Sequence, residues 1–379
     1  MKLTTAGESH GKALVAIIEG LPAHLKVSLE AVNHDLALRQ KGYGRGARQK
    51  IEKDQAEILT GMRNGETLGS PLTLCIYNKD YANWENCMSA QACDAQAMQA
   101  KQVTKVRPGH ADLTGMFKFE QTDARNILER ASARETAIRV AAGSVYKQYL
   151  SALGVEIAGY VKEACGVKDG GMYAFNDLLS SKTTQLGMLD SNAETLAMQK
   201  IDELKKSGDT AGGVVEIRVK GLKRGFGSMM TYAEKLDGKL AQALMSIQAV
   251  KGVSVGAGFE VGAISGKQVH DEIYHDIGKG FYRKTNNAGG IEGGMSNGEE
   301  IVLSVAMKPI PTLMKGLQTA DFLSKKPTVA ASERSDVCAI FALEIIAEAV
   351  VAQVLADEIS HRVGGDTMAQ VKDRYFRLP

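Results

Sequence analysis

The chain has 379 residues, 44% of them hydrophobic and 24% charged, which is ordinary globular usage and enough to bury a sizeable core. Its formal net charge of +2 excludes the global field that marks a nucleic-acid binder, so any affinity for anions must come from local clusters. The five cysteines, Cys75, Cys87, Cys93, Cys165 and Cys338, include no C-x-x-C pair, which speaks against a zinc site or a disulfide framework and for free thiols in a reducing cytosol.

From the N-terminus, MKLTTAGESHG has no apolar signal core, and a cytoplasmic location is expected. Leu14 to Glu19 reads as a strand. Ser28 reads as the N-cap of a helix over Leu29–Gln40. Ser132, Ala133, Arg134 and Glu135 form an S-x-x-E capping box ahead of a helical face made by Ile138, Ala141, Val145 and Tyr149. Residues 163–210 are more polar and weaker in pattern, as in a peripheral insertion. No linker cuts the chain, so 1–379 is expected to be a single domain. Strand alternation returns at Gly213–Lys220, over Gly252 to Ile264, and at Ile301–Met307. Between the first two, Leu236, Leu240, Ala243, Leu244 and Ile247 share one helical face. Ala339 to Leu355 is a long, nearly all-apolar helix whose Glu344 and Glu348 argue against a membrane span. Strands and helices alternate without a steady βαβ rhythm, which predicts an α+β fold with antiparallel sheets.

Several segments carry chemistry. GESHG at 7–11 has the form of a hydrolase nucleophile elbow at Ser9, but only six residues precede it, too few for the central strand an elbow follows. Its other use is His10 as an acid or base. Residues 39–53, RQKGYGRGARQKIEK, hold six Arg or Lys among fifteen residues, interleaved with Gly42, Gly44 and Gly46. With one aromatic, Tyr43, and a nearly neutral chain, they suit a small multiply charged anion better than RNA. RPGHAD at 107–112 presents Arg107 and His110 on one turn, a cation and a proton donor for an anionic leaving group. The helix start near Ser132, flanked by Arg130 and Arg134, is a candidate anion site. The paired glycines of NNAGGIEGGMSNG at 286–298 allow close backbone approach to a flat ligand. In KPIPT at 308–312 a stiff turn carries Lys308. Arg334, Ser335 and Asp336 open the long apolar helix, where an Asp is held ionised by the helix dipole. Gly256, Gly258 and Gly262 miss the dinucleotide fingerprint by one residue, and His270 and His275 are not at zinc-helix spacing.

Taken in order, GESHG, RQKGYGRG, RPGHAD, RASARETAIRVAAG (130–143), SIQAVKGVSVGAGF (246–259), GGIEGGMSNG (289–298), KPIPT and RSDVCA (334–339) resemble the chorismate synthase family across almost the whole chain. The resemblance implies removal of phosphate from C3 and a proton from C6 of 5-enolpyruvylshikimate 3-phosphate, with reduced FMN required and no net redox change. It implies His110 as the acid at the leaving phosphate, His10 as a proton donor toward the reduced flavin, and Asp336 as the carboxylate that works with flavin N5 on the C6 proton. Arg39, Arg45, Arg48, Arg107, Arg134 and Arg334 would clamp the substrate. Arg130, Ala131, Ser132, Gln248, Ala249, Gly293, Lys308, Pro309, Ile310, Pro311, Thr312 and Arg334 match flavin-contacting positions. It further implies a β-α-β sandwich of antiparallel sheets around a central helical layer, a homotetramer, no metal, and no nucleic-acid or membrane partner. NADPH is the candidate reductant, with an outside reductant as the alternative. The rival readings are a serine hydrolase using Ser9, which would ignore flavin, and an RNA-binding protein using 39–53, whose affinity would fall steeply with salt.

Overall fold

The structure, a computed structural model, describes residues 1–46, 53–278, 280–331 and 335–379. The chain opens on an antiparallel pair, β1 (Lys2–Ala6) and β2 (Ala13–Glu19). Helix α1 (Leu29–Gln40) follows, capped by Ser28, whose hydroxyl accepts from the Ala31 amide at 3.1 Å. Strands β3 (Glu57–Thr60) and β4 (Leu72–Tyr77) complete a four-stranded sheet in the order β1-β2-β4-β3. Short helices α2 (Asp112–Lys118) and α3 (Arg125–Ala131) lead through a 3-10 turn into α4 (Thr136–Ser151). A second antiparallel sheet is built from β5 (Glu156–Ala164), β6 (Val167–Lys168), β7 (Gly213–Lys220), β8 (Val250–Val255) and β9 (Ile301–Met307), in the order β8-β9-β7-β5-β6. The fold is therefore α+β with antiparallel sheets.

The core lies where α4 packs against the long helix α5 (Ile340–Val363), with α1 beside both, β2 and β4 against α4, and β5 and β7 against α5. Buried Leu14, Ile18, Leu72, Leu74 and Ile76 come from one sheet, Val161, Val215, Ile217, Leu303 and Val305 from the other, and Tyr146, Tyr149, Phe341 and Val351 from the helices between. Burying that much apolar side chain is the dominant stabilising term. Residues 163–210 contribute too. Their helix Ser191–Ser207 starts at an Asp190 cap, ends at Gly208 with φ 76°, and buries Ala193, Ala197 and Ile201 in the same core. No helix among the described residues is long and apolar enough to cross a membrane.

Three local expectations need correction. The strand expected to run to Ile264 stops at Val255, because Gly256 and Gly258 take φ of 58° and 57° and turn the chain into a 3-10 segment, Gly258–Ala263. A side chain at Gly256 would meet the Asn287 carbonyl oxygen at 2.0 Å. The capping box at Ser132 does not close. The Ser132 hydroxyl accepts from the Arg134 amide at 3.2 Å, while the Glu135 carboxylate turns to Thr5 and Gln248. Asp336 does not sit in the first turn of the long helix, which begins at Ile340. It is held instead by the Gly46 amide, which donates to its Oδ1 at 2.6 Å, and by Arg45, whose Nε lies 3.3 Å from its Oδ2.

Candidate active site

One basin of about 370 Å³ gathers residues from seven separated parts of the chain, a volume within the range of ligand sites. Its walls are the turn between β1 and β2, the glycine-rich loop after α1, the turn before α2, the start of α4 with the turn before β8, and the segment after β9. The helix α5 forms a further wall through Ala342, Leu343 and Ile346.

His10 comes from the first turn. Gly7, with φ 111°, makes that turn possible, because a Cβ there would meet the Ala13 carbonyl oxygen at 2.3 Å. The turn is anchored from α3: the Ser9 amide donates to the Glu129 carbonyl at 2.9 Å and the His10 amide to Glu129 Oε2 at 2.7 Å. His10 Nδ1 lies 2.9 Å from Glu129 Oε1, a pairing that needs the proton on Nδ1 and leaves Nε2 as the other nitrogen. Trp84 stacks on the imidazole with centroids 3.9 Å apart. Lys101 and Arg125 sit 4.4 Å and 5.2 Å from the Trp84 ring. Burial works against the Glu129 charge, but the His10 hydrogen bonds and the Arg125 cation prevail and lower its pKa.

His110 is held in a parallel way. Its Nδ1 lies 2.5 Å from Asp112 Oδ1. Arg107 grips the same carboxylate, Nε to Oδ2 at 2.8 Å and Nη2 to Oδ1 at 3.0 Å, and donates from Nη1 to the Thr312 hydroxyl at 3.1 Å. Burial opposes ionisation of Asp112. The donors from His110 and Arg107 overcome it and hold the carboxyl well below the usual range. Lys308 donates to the Gly109 carbonyl, and burial, with Lys251 nearby, lowers its pKa. The KPIPT turn thus closes over the RPGHAD turn.

The arginines divide. Arg39, Arg45 and Arg107 line the basin. Arg39 is pulled down to about 10 by burial, with Asp54 opposing and Arg134 and Arg45 adding to the effect, and it remains a cation at neutral pH. It donates to Thr136, Asp54 and the Ala133 carbonyl. Arg134 does not line the basin. It binds Asn78 through Nε and Nη2 and Asp54 through Nη1 at 2.5 Å, so it braces Arg39 from behind. Arg130 points away as well, donating to the carbonyls of Thr5 and Gly7. Arg48 and Arg334 lie outside the described residues.

Ala131, Ser132, Gln248, Ala249, Lys308, Ile310, Pro311 and Thr312 all line the basin, whereas Pro309 faces a shallow cleft on the far side and Gly293 turns a separate hairpin. One buried polar atom of a lining residue, Gln248 Oε1, makes no hydrogen bond. Such an atom is costly without a partner, and it fits a polar, hydrogen-bonding ligand such as a flavin ring. Glu129, Asp112, Asp54 and Trp84 were not among the expected site residues. Asp112 stands two places from His110 within RPGHAD, a usable signal. Nothing local ties Glu129 to His10.

Comparison with known proteins places the chain in a family. A family model described as Chorismate synthase matches residues 1–360. A protein of Geobacter metallireducens named Chorismate synthase is 51% identical over 384 residues, covering 99% of this chain and 97% of its own length. One of Caldicellulosiruptor bescii with the same name is 49% identical over 382 residues, covering 100% and 99%. A solved structure titled "Crystal Structure of Chorismate Synthase" superposes with a TM-score of 0.78 at 39% identity, covering 99% of this chain and 96% of that one.

Proposed function

The chain belongs to the chorismate synthase family, a lyase family of the shikimate pathway that forms chorismate from 5-enolpyruvylshikimate 3-phosphate, and on that premise we propose that the basin around His10, His110 and Asp336 is where it does so. The observation that carries the assignment is that two histidines, each held by its own carboxylate, open onto one arginine-lined basin. The substrate carries two carboxylates and a phosphate. Arg39, Arg45 and Arg107 supply the cations that orient it, and Lys308 adds a charge beside His110. His110 gives its Nε2 proton to the departing phosphate, with Nδ1 kept on Asp112. Asp336 takes the side of the C6 proton, held in place by Arg45 and the Gly46 amide. One proton leaves C6 and one is given to phosphate, so the elimination balances.

The family needs reduced flavin, and the lining fits one. Gln248 Oε1 has no hydrogen-bond partner, and the backbone turns at Ala249, with φ 68°, beside Ala131 and Ser132. Reduced FMN bound here supplies the electron density that weakens the C3–oxygen bond. His10, which lines the basin while its Nδ1 is held by Glu129, is the proton donor on that side. The finer expectations are part of this reading: NADPH or an outside reductant for the flavin, a homotetramer in the cytoplasm, and a sandwich of two sheets around the α4–α5 layer, supported by the packing of β2 and β4 on one helix and β5 and β7 on the other.

An anaerobic assay with enolpyruvylshikimate phosphate, following chorismate absorbance, tests the proposal. Turnover is expected with reduced FMN and without net flavin oxidation. Equal turnover with oxidised FMN, or one flavin oxidised per product, overturns it.

A further inference from the structure

We infer that Glu129 is a positioning residue for His10, fixing the imidazole as the Nδ1–H tautomer and so assigning Nε2 to proton exchange in the basin. The inference rests on the proposed role of His10.

Glu129 and Trp84 hold this imidazole, and two further contacts hold Glu129. Glu129 approaches Nδ1 with both oxygens, at 2.9 and 3.1 Å. One of those oxygens also receives the His10 amide at 2.7 Å, so ring and backbone are tied to one group. Arg125, a turn earlier on the same helix, fixes the carboxylate from the other side at 3.2 Å. Trp84 covers one ring face. The Glu129 side chain is 2% exposed, so these contacts are screened little by water. An ionised carboxylate only accepts hydrogen bonds. It therefore demands a proton on Nδ1 whenever the ring is neutral, whereas free histidine favours the proton on Nε2. During turnover the Nδ1–H bond to Glu129 stays intact, and the proton that is gained and lost sits on Nε2. The same logic makes a carboxylate behind a histidine decisive in serine-protease triads, where an amide in its place leaves the wrong tautomer.

The amide variant is the test. Glu129→Gln keeps the size and an acceptor for Arg125, but its NH₂ group can donate to Nδ1 and release the tautomer. Nitrogen-15 NMR of histidine-labelled protein at alkaline pH, with His10→Ala to assign the resonance, reads the tautomer without any ligand present. We expect the Nδ1–H signature in the wild type and its loss in Glu129→Gln. Single-turnover chorismate formation should fall by about 10-fold or more, taking the loss when a metal-bound histidine loses its hydrogen-bond partner as the lower guide, while KM and FMN affinity stay within about threefold. Glu129→Asp, which keeps the charge one carbon shorter, should recover part of the rate. Trp84 is the chain's only tryptophan, and unchanged emission from it would show that the turn is intact. Retention of the Nδ1–H tautomer in Glu129→Gln, or a rate within threefold of wild type, overturns the inference. A normal rate in His10→Ala would instead remove His10 from the chemistry, whatever its tautomer.

Discussion

The basin and the ion cluster behind it share one wall, the helix Ile340–Val363. Its Ala342, Leu343 and Ile346 line the basin. Its Glu344 and Glu348 turn the other way, to Lys182 from the 163–210 segment and Lys147 from α4, with Asp35 completing the set 3.0 Å from Lys147. Both regions gather buried charges, but they treat them differently. In the basin, Asp112 and Glu129 are driven below their usual range by N–H donors, and each holds a histidine that keeps one nitrogen for a ligand. Behind the helix the two carboxylates are fully buried: Ser181 and Lys182 bind Glu344 Oε1, and Oε2 makes no hydrogen bond. Burial pushes the Glu344 carboxyl up to about 7, against Lys182 and with help from Glu348. One set of charges surrounds the proposed site; the other fastens the 163–210 segment to the central helix. Substitutions should therefore separate rate from stability according to the face they touch.

The largest expected effect is on the basin side. His110→Ala removes the proposed acid at the leaving phosphate and should lower kcat by about 10²–10⁴-fold with little change in thermal midpoint or KM. A raised KM with normal kcat would reassign His110 to binding. On the opposite face, Lys182→Met leaves two buried carboxylates facing each other without their common cation. Breaking a buried pair this way typically costs about 3–5 kcal/mol. Denaturant unfolding should show that loss while kcat below the transition stays within about threefold of wild type. A large fall in kcat at full occupancy of the folded state would mean that the two faces are not independent.

Asp336→Asn comes next. The amide oxygen still accepts the Gly46 N–H, so the loop should hold its shape and FMN should bind nearly as before. Proton acceptance is lost, and single-turnover chorismate formation should fall by about 10²-fold or more. A rate within threefold of wild type would make Asp336 only the anchor of Arg45 and Gly46.

Much of this was legible in the sequence, and the limits have physical reasons. Ser28 and the Leu29–Gln40 face gave a helix to the residue, and the alternation in Gly213–Lys220 and Ile301–Met307 gave the two strands, because caps and period-two burial are local signals. The basin lining from Ala131, Ser132, Gln248, Ala249 and the 308–312 turn followed from motif order. The strand past Val255 failed because the glycines at 256 and 258 look permissive in a sequence, and only the close approach of Asn287 forces their turn. The capping box failed because Glu135 found tertiary partners. The Asp336 environment was misjudged for the same reason: its partners are at 45 and 46, not in the helix that follows. Glu129 stands 119 residues from His10 and Glu344 162 from Lys182. Pairings of that separation are made by the fold.

The smallest effect, and the sharpest separation of the two faces, belongs to Glu344→Gln. The unfolded chain releases the Glu344 proton near 4.5, the folded one near 7. Between those values the folded state binds more protons than the unfolded state, so stability falls as pH rises through the window, and the cost of a buried charge is fully present above it. For one proton the slope is at most about 1.4 kcal/mol per pH unit. Asp112 has the opposite sign: its depressed folded value contributes stability at neutral pH that is lost only in strong acid. Glutamine mimics the protonated carboxyl at every pH. Glu344→Gln should therefore match wild type near pH 5, lose less stability between pH 5 and 8, and leave the chorismate-forming rate unchanged. Thermal midpoints at the two pH values measure the difference, at roughly 2–4 °C per kcal/mol or less for a chain of this size. Identical pH dependence in the two proteins would mean that Lys182 keeps Glu344 ionised throughout, and that the cluster behind the helix holds its charges as firmly as the basin does.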